Sequence, residues 1–281
     1  MLISNIIENG AKILKQKNIK SYNLDSEILL SLITKKEKEY LIINDQIEIN
    51  KYNYLKYLKL ILRKKKKEPV AYIINKKEFW SKDFFVDESV LIPRPDTEVI
   101  LEDIKRRFNK ESNLHILDVG TGSGCILFSI LKEFKNFRGI GIDKSKKAIK
   151  IAKYNSKIMN ISKRVKLIHC DVDNYKFGKY DLIISNPPYI KKIDLKYLDK
   201  DVINFEPKLA LDGGLEGLSA IRKVINKSSE LIKINGKLVI EIAFDQKNEV
   251  VKLLKNKGFY INKVLKDLAK NDRCIISTKN H

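Results

Sequence analysis

Apolar residues recur at helical spacing through the first part of the chain: Ile3, Ile6, Ile7 and Leu14 on one face, Leu24, Ile28, Leu29 and Leu32 on another, then Tyr54, Tyr57, Leu58 and Ile61. This period predicts a small helical bundle over residues 1–75. Arg63-Lys64-Lys65-Lys66-Lys67-Glu68-Pro69 marks the end of its last long helix, because a proline halts a charged run. Between Phe79 and Ile92 the period falls to two. Phe84, Val86, Val90 and Ile92 alternate with polar residues about Asp87-Glu88-Ser89, which predicts a β-hairpin within a linking segment, 76–94. From 95 to 281 helices and strands alternate. Helices are predicted near 95–108, from Ser123, and over 145–159, 216–233 and 246–256; strands over 114–119, 137–142, 164–170, 179–185 and 237–243, with two closing strands. Such alternation predicts an α/β fold with a doubly wound, mostly parallel sheet, in which ligands bind at the carboxyl ends of strands. The residues just after each strand are therefore the candidates for chemistry.

Composition narrows the class. The 281 residues are 43% hydrophobic and 32% charged, enough for one full-sized core and a second small unit, which excludes a disordered or collagen-like chain. Lys or Glu interrupts every apolar run before it could span a bilayer, and Met1 to Lys17 lacks the apolar block of a secretory signal. The net charge is +21, from 56 basic residues of which 8 are Arg and 48 Lys. Nucleic-acid readers lean on the planar fork of Arg, whereas a surplus of Lys, Ile and Asn is what an AT-rich coding sequence writes at neutral surface positions. The positive field steers the chain toward acidic partners or RNA, but no stable nucleic-acid partner is expected. Cys125, Cys170 and Cys274 are odd in number and widely spaced, and His115, His169 and His281 show no metal-ligand pattern. A reducing cytoplasm and a metal-free site are expected.

The first core strand runs into Asp118-Val119-Gly120-Thr121-Gly122-Ser123-Gly124. Glycines at a strand-to-helix turn let backbone approach a ligand closely, and the helix start presents free amide donors. A dinucleotide fingerprint puts its third glycine at position 125, where this chain has Cys; here it is Gly124. That spacing resembles S-adenosylmethionine-dependent methyltransferases. Asp143, at the end of the second strand, is placed to accept both hydroxyls of an adenosine ribose, with a helix-capping role as the alternative. Asp171, after the third strand, can accept from the adenine amino group or serve as a plain turn aspartate. Asp118 faces either the sulfonium side of the cofactor or its own strand end.

After the fourth strand stands Asn186-Pro187-Pro188-Tyr189. Two prolines make a rigid turn, but turn chemistry alone asks for neither the Asn nor the Tyr. A carboxamide nitrogen is a poor nucleophile because its lone pair is delocalised, so its orientation must be enforced. The Asn186 side-chain oxygen and the Pro187 carbonyl can accept its two N–H bonds and turn the nitrogen toward a methyl electrophile. Tyr189 can pack on the planar group and lie near a positive sulfonium. This turn fits methyl transfer to planar nitrogens, either glutamine side chains or the exocyclic amino groups of bases.

Further segments separate these. Glu68 to Ile73, Glu78-Phe79-Trp80, Leu91-Ile92-Pro93-Arg94-Pro95-Asp96-Thr97-Glu98, Asn186 to Ile190, Glu206 to Gly214, Asp267-Leu268-Ala269 and Asp272-Arg273 stand in order along the chain. Together they resemble the release factor glutamine methyltransferase family, weakly in the bundle and strongly from Glu68 on. The resemblance implies methylation of the glutamine in the Gly-Gly-Gln loop of class I peptide chain release factors, with S-adenosylmethionine as donor. It implies cofactor contacts from Gly120, Thr121, Gly122, Ser123, Gly124, Asp143 and Asn186, with Arg94 and Thr97 on the outer side; Asp171 joins them as a candidate on its strand-end position alone. It places the glutamine against Asn186, Pro187, Pro188 and Tyr189. Val172 departs from the family, whose members often carry an aromatic there. The helical bundle is then a docking domain for the protein substrate, and the enzyme a cytoplasmic monomer. The alternatives are a ribosomal-protein glutamine methyltransferase, whose Pro-Arg-Ser-Pro differs from Pro93-Arg94-Pro95-Asp96, and an adenine-specific nucleic-acid amino-methyltransferase.

Overall fold

The structure is a computed structural model describing residues 1–280; His281 lies outside the described residues. By contact density the chain divides into two compact units, Met1–Lys76 with Asp199–Phe205, and Lys77–Leu198 with Glu206 onward.

The first unit contains α1 (Ile3–Lys15), α2 (Tyr22–Thr34), α3 (Lys38–Ile43), α4 (Lys51–Lys65) and the single turn α5 (Val70–Ile73). Ile3, Ile6, Leu14, Leu29, Leu30, Tyr57 and Ile61 form its core. Gly10 is where the helices crowd: a Cβ there would stand 1.8 Å from the Tyr57 hydroxyl. Leu24 and Leu32, expected inside, are exposed. The buried stripe of α2 instead includes Asp25 and Ser26, which meet Lys64 at 3.4 Å and Tyr57 at 2.6 Å. A purely apolar count passes over a stripe that is polar where it has partners.

The second unit opens with a hairpin, β1 (Lys77–Phe79) and β2 (Lys82–Phe84). Its turn is Trp80-Ser81, not Asp87-Glu88-Ser89 as the alternation suggested. Both turn residues have φ +52, the left-handed pair of a tight two-residue connection. Trp80 is held there by its amide bond to Glu98 (2.8 Å) and its indole bond to Glu133 (3.1 Å). Asp87 does make a turn, accepting from Ser89 N at 2.9 Å, but no strand follows. Residues 85–94 run as a non-strand segment with Val86, Val90 and Ile92 buried.

Then come α6 (Glu98–Arg107), β3 (His115–Val119), α7 (Cys125–Glu133), β4 (Arg138–Asp143), α8 (Lys146–Ile158), β5 (Val165–His169) and β6 (Tyr180–Ser185). After α9 (Lys200–Phe205), which groups with the first unit, the order continues α10 (Ser219–Leu231), β7 (Ile232–Glu241), α11 (Lys247–Asn256), β8 (Phe259–Lys266) and β9 (Asp272–Lys279). The seven strands lie in the order β5-β4-β3-β6-β7-β9-β8, parallel except for antiparallel β9. The doubly wound, mostly parallel sheet read from the sequence is therefore present. Alternate residues feed two cores: Ile116, Leu182, Ile184, Val239 and Ile276 on one face, Leu117, Ile183, Leu238, Ile240 and Ile275 on the other. Strand order reverses between β3 and β6, which opens a crevice at their carboxyl ends. No helix among the described residues is long and apolar enough to cross a membrane.

Candidate functional site

The register of three strands assembles the site. Val119 pairs with Ser185, and Ser185 with Ile240, so Gly120, Asn186 and Glu241 leave neighbouring strand ends side by side. The Ser185 hydroxyl donates to the Val119 carbonyl at 2.8 Å and ties two of these ends together.

The glycine loop is shaped by conformations that other residues resist. Gly120, Gly122 and Gly124 have φ of +77, +55 and +84. The Gly120 and Thr121 amides donate to the Ile142 carbonyl at 2.9 and 3.0 Å, and the Gly124 amide to Thr121 O at 2.8 Å. A Cβ on Gly120 would meet nothing within 4 Å; its missing side chain leaves open space. That space belongs to a cavity of about 370 Å³, within the range of small-molecule sites.

The cavity collects most of the residues read from the sequence: Gly120 to Ser123, Asp143, Asp171, Val172, Arg94, Thr97 and Asn186 to Pro188. Gly124 stands behind, as the residue before α7. Asp143 Oδ2 accepts the Gly122 amide at 2.9 Å and Oδ1 the Ser145 amide at 2.8 Å. It thus fastens the loop to the start of α8, and each oxygen keeps a lone pair for a ligand. Burial raises its pKa, against the pull of these two amides. Asp171 accepts from Asp173 N at 3.2 Å and pairs with Lys144 at 3.1 Å. These contacts outweigh its burial and hold its carboxyl below the usual value.

Asp118 is buried behind the loop and is not on the cavity wall. It accepts the Thr121 hydroxyl at 2.7 Å, and burial pushes its pKa to about 7. Its geometry is that of a support for the loop.

Arg94 pairs with neither Asp96 nor Glu98. Its guanidinium donates to Oε1 of Glu206, whose side chain is 2% exposed, while the Ile92 amide donates to Oε2 at 3.2 Å. Thr97 is buried and donates to Glu241 Oε2 at 2.7 Å. Asn186 Nδ2 donates to the Thr97 hydroxyl oxygen at 3.3 Å. Tyr189 does not line the cavity; its ring packs on the core and its hydroxyl donates to Glu241 Oε1 at 3.1 Å.

Glu241 was missed by the sequence reading. It is 2% exposed, and burial raises its pKa to about 7 although the Thr97 and Tyr189 hydroxyls favour its charge. The available signal was a lone acid ending an apolar strand, Leu238-Val239-Ile240-Glu241.

Residues 5–74 match the PrmC N-terminal domain family and residues 110–280 a methyltransferase domain family. A protein of Clostridium acetobutylicum named release factor glutamine methyltransferase is 36% identical, over 99% of this chain and 99% of that protein. One of the same name from Buchnera aphidicola subsp. Baizongia pistaciae is 37% identical, over 99% and 100%. A solved methyltransferase from Pyrococcus furiosus superposes with a TM-score of 0.53 at 17% identity, covering 71% of this chain and 89% of that one, a likeness of fold alone.

Proposed function

The chain belongs to the release factor glutamine methyltransferase family, and from that premise we propose that it methylates the side-chain amide nitrogen of a release factor glutamine, in the Gly-Gly-Gln loop of class I factors. The observation that carries this reading is the Asn186-Pro187-Pro188 turn on the wall of a cavity also lined by Gly120, Asp143 and Asp171.

The residues present fit S-adenosylmethionine. The open space beside Gly120 admits the ligand against backbone, and Asp143 and Asp171 offer acceptors for ribose hydroxyls and an adenine amino group. Val119, Ile142 and Val172 give apolar wall, without an aromatic platform at 172. Bound there, the cofactor supplies a methyl on a positive sulfonium. The chain's own residues do the rest. Asn186 Oδ1 and the Pro187 carbonyl accept the two amide N–H bonds, which fixes the nitrogen's approach. Transfer would form the N–C bond as the sulfonium S–methyl bond breaks, the electron pair staying on sulfur as a neutral thioether, and the surplus proton on nitrogen would pass to solvent.

We assign protein docking to the helical unit, because a glutamine on a loop tip offers little surface for selection. The enzyme acts as a cytoplasmic monomer, and its positive field favours an acidic partner. The deciding experiment offers labelled S-adenosylmethionine with release factor, with release factor whose loop glutamine is changed to Ala, or with DNA and RNA. A mass gain of one methylene on that glutamine alone supports the reading. Comparable labelling of nucleic acid overturns it.

A further inference from the structure

We propose that Glu241 is a positioning residue for methyl transfer: through the Thr97 hydroxyl it sets which end of the Asn186 carboxamide faces the cavity. The inference deepens the function proposed above and rests on it.

A carboxamide is nearly the same shape with its oxygen and nitrogen exchanged, so something must select the useful orientation. With Oδ1 toward the cavity, Asn186 accepts an N–H from the glutamine amide. With Nδ2 there, two donors face each other and the substrate nitrogen is pushed away. Thr97 makes the selection. Its hydroxyl has a single hydrogen, given to Glu241 Oε2 at 2.7 Å. Toward Asn186 the same oxygen can then only accept, and Nδ2 donates to it at 3.3 Å. Oδ1 is left for the substrate.

The polarity of the chain is anchored at Glu241, whose Oε2 accepts the Thr97 hydrogen; in its ionised form the carboxylate has no hydrogen of its own to give back. Its second oxygen takes the Tyr189 hydroxyl at 3.1 Å, so both oxygens receive a donor from the segments that carry the site. Its position is fixed by the sheet: Ile240 pairs with Ser185 and Glu241 with Cys274, so the carboxylate stands at the strand end beside Asn186. A buried acid at 2% exposure is costly unless it is hydrogen-bonded, and here the Thr97 and Tyr189 hydroxyls supply the bonds. Glu241 is not on the cavity wall, so it acts through Thr97 and Asn186, not by touching substrate.

The test uses the full chain, S-adenosylmethionine and intact release factor. Glu241→Leu should lower kcat about 100-fold, the scale of a misplaced reacting group, while cofactor affinity and the KM for release factor stay within about three-fold. Thr97→Val should lower kcat similarly, and Thr97→Ser, which returns the hydroxyl, should recover it to within about three-fold. Adding Glu241→Leu to Thr97→Val should cost no more than about a further two-fold, because the two substitutions break one path. If Glu241→Leu fails to fold, the Thr97 pair carries the test alone. The proposal is overturned if Glu241→Leu keeps kcat within about three-fold, if the double variant shows the product of the single losses, or if Thr97→Ser stays as slow as Thr97→Val. A wild-type enzyme that leaves the glutamine unmodified overturns the function itself, a separate result.

Discussion

Arg94 and Glu206 stand 112 residues apart in sequence, yet the guanidinium of one donates to a carboxylate oxygen of the other. The two ends of the pair differ in burial: the Arg94 side chain is 36% exposed and that of Glu206 2%. Removing Arg94 therefore strands a buried charge, while neutralising Glu206 leaves a guanidinium that water can reach. Arg94→Ala should cost about 3 kcal/mol of stability and Glu206→Gln about 1 kcal/mol. Thermal unfolding of both variants checks the order. Equal losses would show that Glu206 does not depend on Arg94.

Asn186→Ala should lower kcat by about 100- to 1000-fold, as for loss of one preorganised hydrogen-bonding group at a reacting centre. The turn is held by its prolines, so the fold should persist. Single-turnover transfer to release factor measures this, and a loss of only a few-fold removes Asn186 from the reaction.

Asp143→Ala deletes a charged acceptor, worth roughly 1.5 to 3 kcal/mol or about 10- to 150-fold in cofactor affinity. It also frees the Gly122 and Ser145 amides. Calorimetric titration with S-adenosylmethionine gives the answer. An unchanged dissociation constant would reduce Asp143 to a helix cap.

Asp118 predicts a pH dependence of stability. Its pKa in the folded chain is about 7, above the ordinary 3.8, because burial disfavours its charge. The folded state therefore holds a proton that the unfolded state releases. The stability this gives is complete below about pH 4 and is lost as pH rises through about 7. Asp118→Asn, which has no proton to lose, should escape that slope, on the order of 4 kcal/mol across the whole window. Denaturant unfolding at pH 5 and pH 8 tests it; parallel losses in the two proteins would put the pH effect elsewhere.

The helical unit should matter for transfer to whole release factor more than for cofactor binding. A chain beginning near Pro69, if soluble, should keep cofactor affinity within a few-fold and methylate intact release factor far more slowly. Transfer at the full rate would remove the docking role.

Much of this was legible in the sequence where a local rule coincided with the global one. The glycine loop, the Asn186 turn and the alternating strands each declare themselves within a few residues. The hairpin turn did not, because Trp80-Ser81 lacks the Asn-Gly chemistry of such turns and is held by Glu98 and Glu133 from elsewhere in the chain. Leu24 and Leu32 misled because the buried stripe of α2 takes in Asp25 and Ser26 beside Leu29 and Leu30, polar residues satisfied by Lys64 and Tyr57. Glu241 and Glu206 could be seen as residues but not as partners. Their meaning lies in contacts with Thr97 and Arg94, which only the folded sheet brings near.

The strand order also governs when the site can exist during synthesis. β3, β4 and β5 pair with one another in chain order, so the loop from Gly120 and the carboxylate of Asp143 can come together early. Asn186 arrives with β6 on the other side of β3, and Glu241 with β7 beyond it. At ribosomal speeds of about 5 to 20 residues per second, the wait from Asp143 to Glu241 is about 5 to 20 s. Through that interval the glycine loop and Asp143 stand without the strand end that carries Glu241, and only completion of the sheet brings Thr97, Asn186 and Glu241 together.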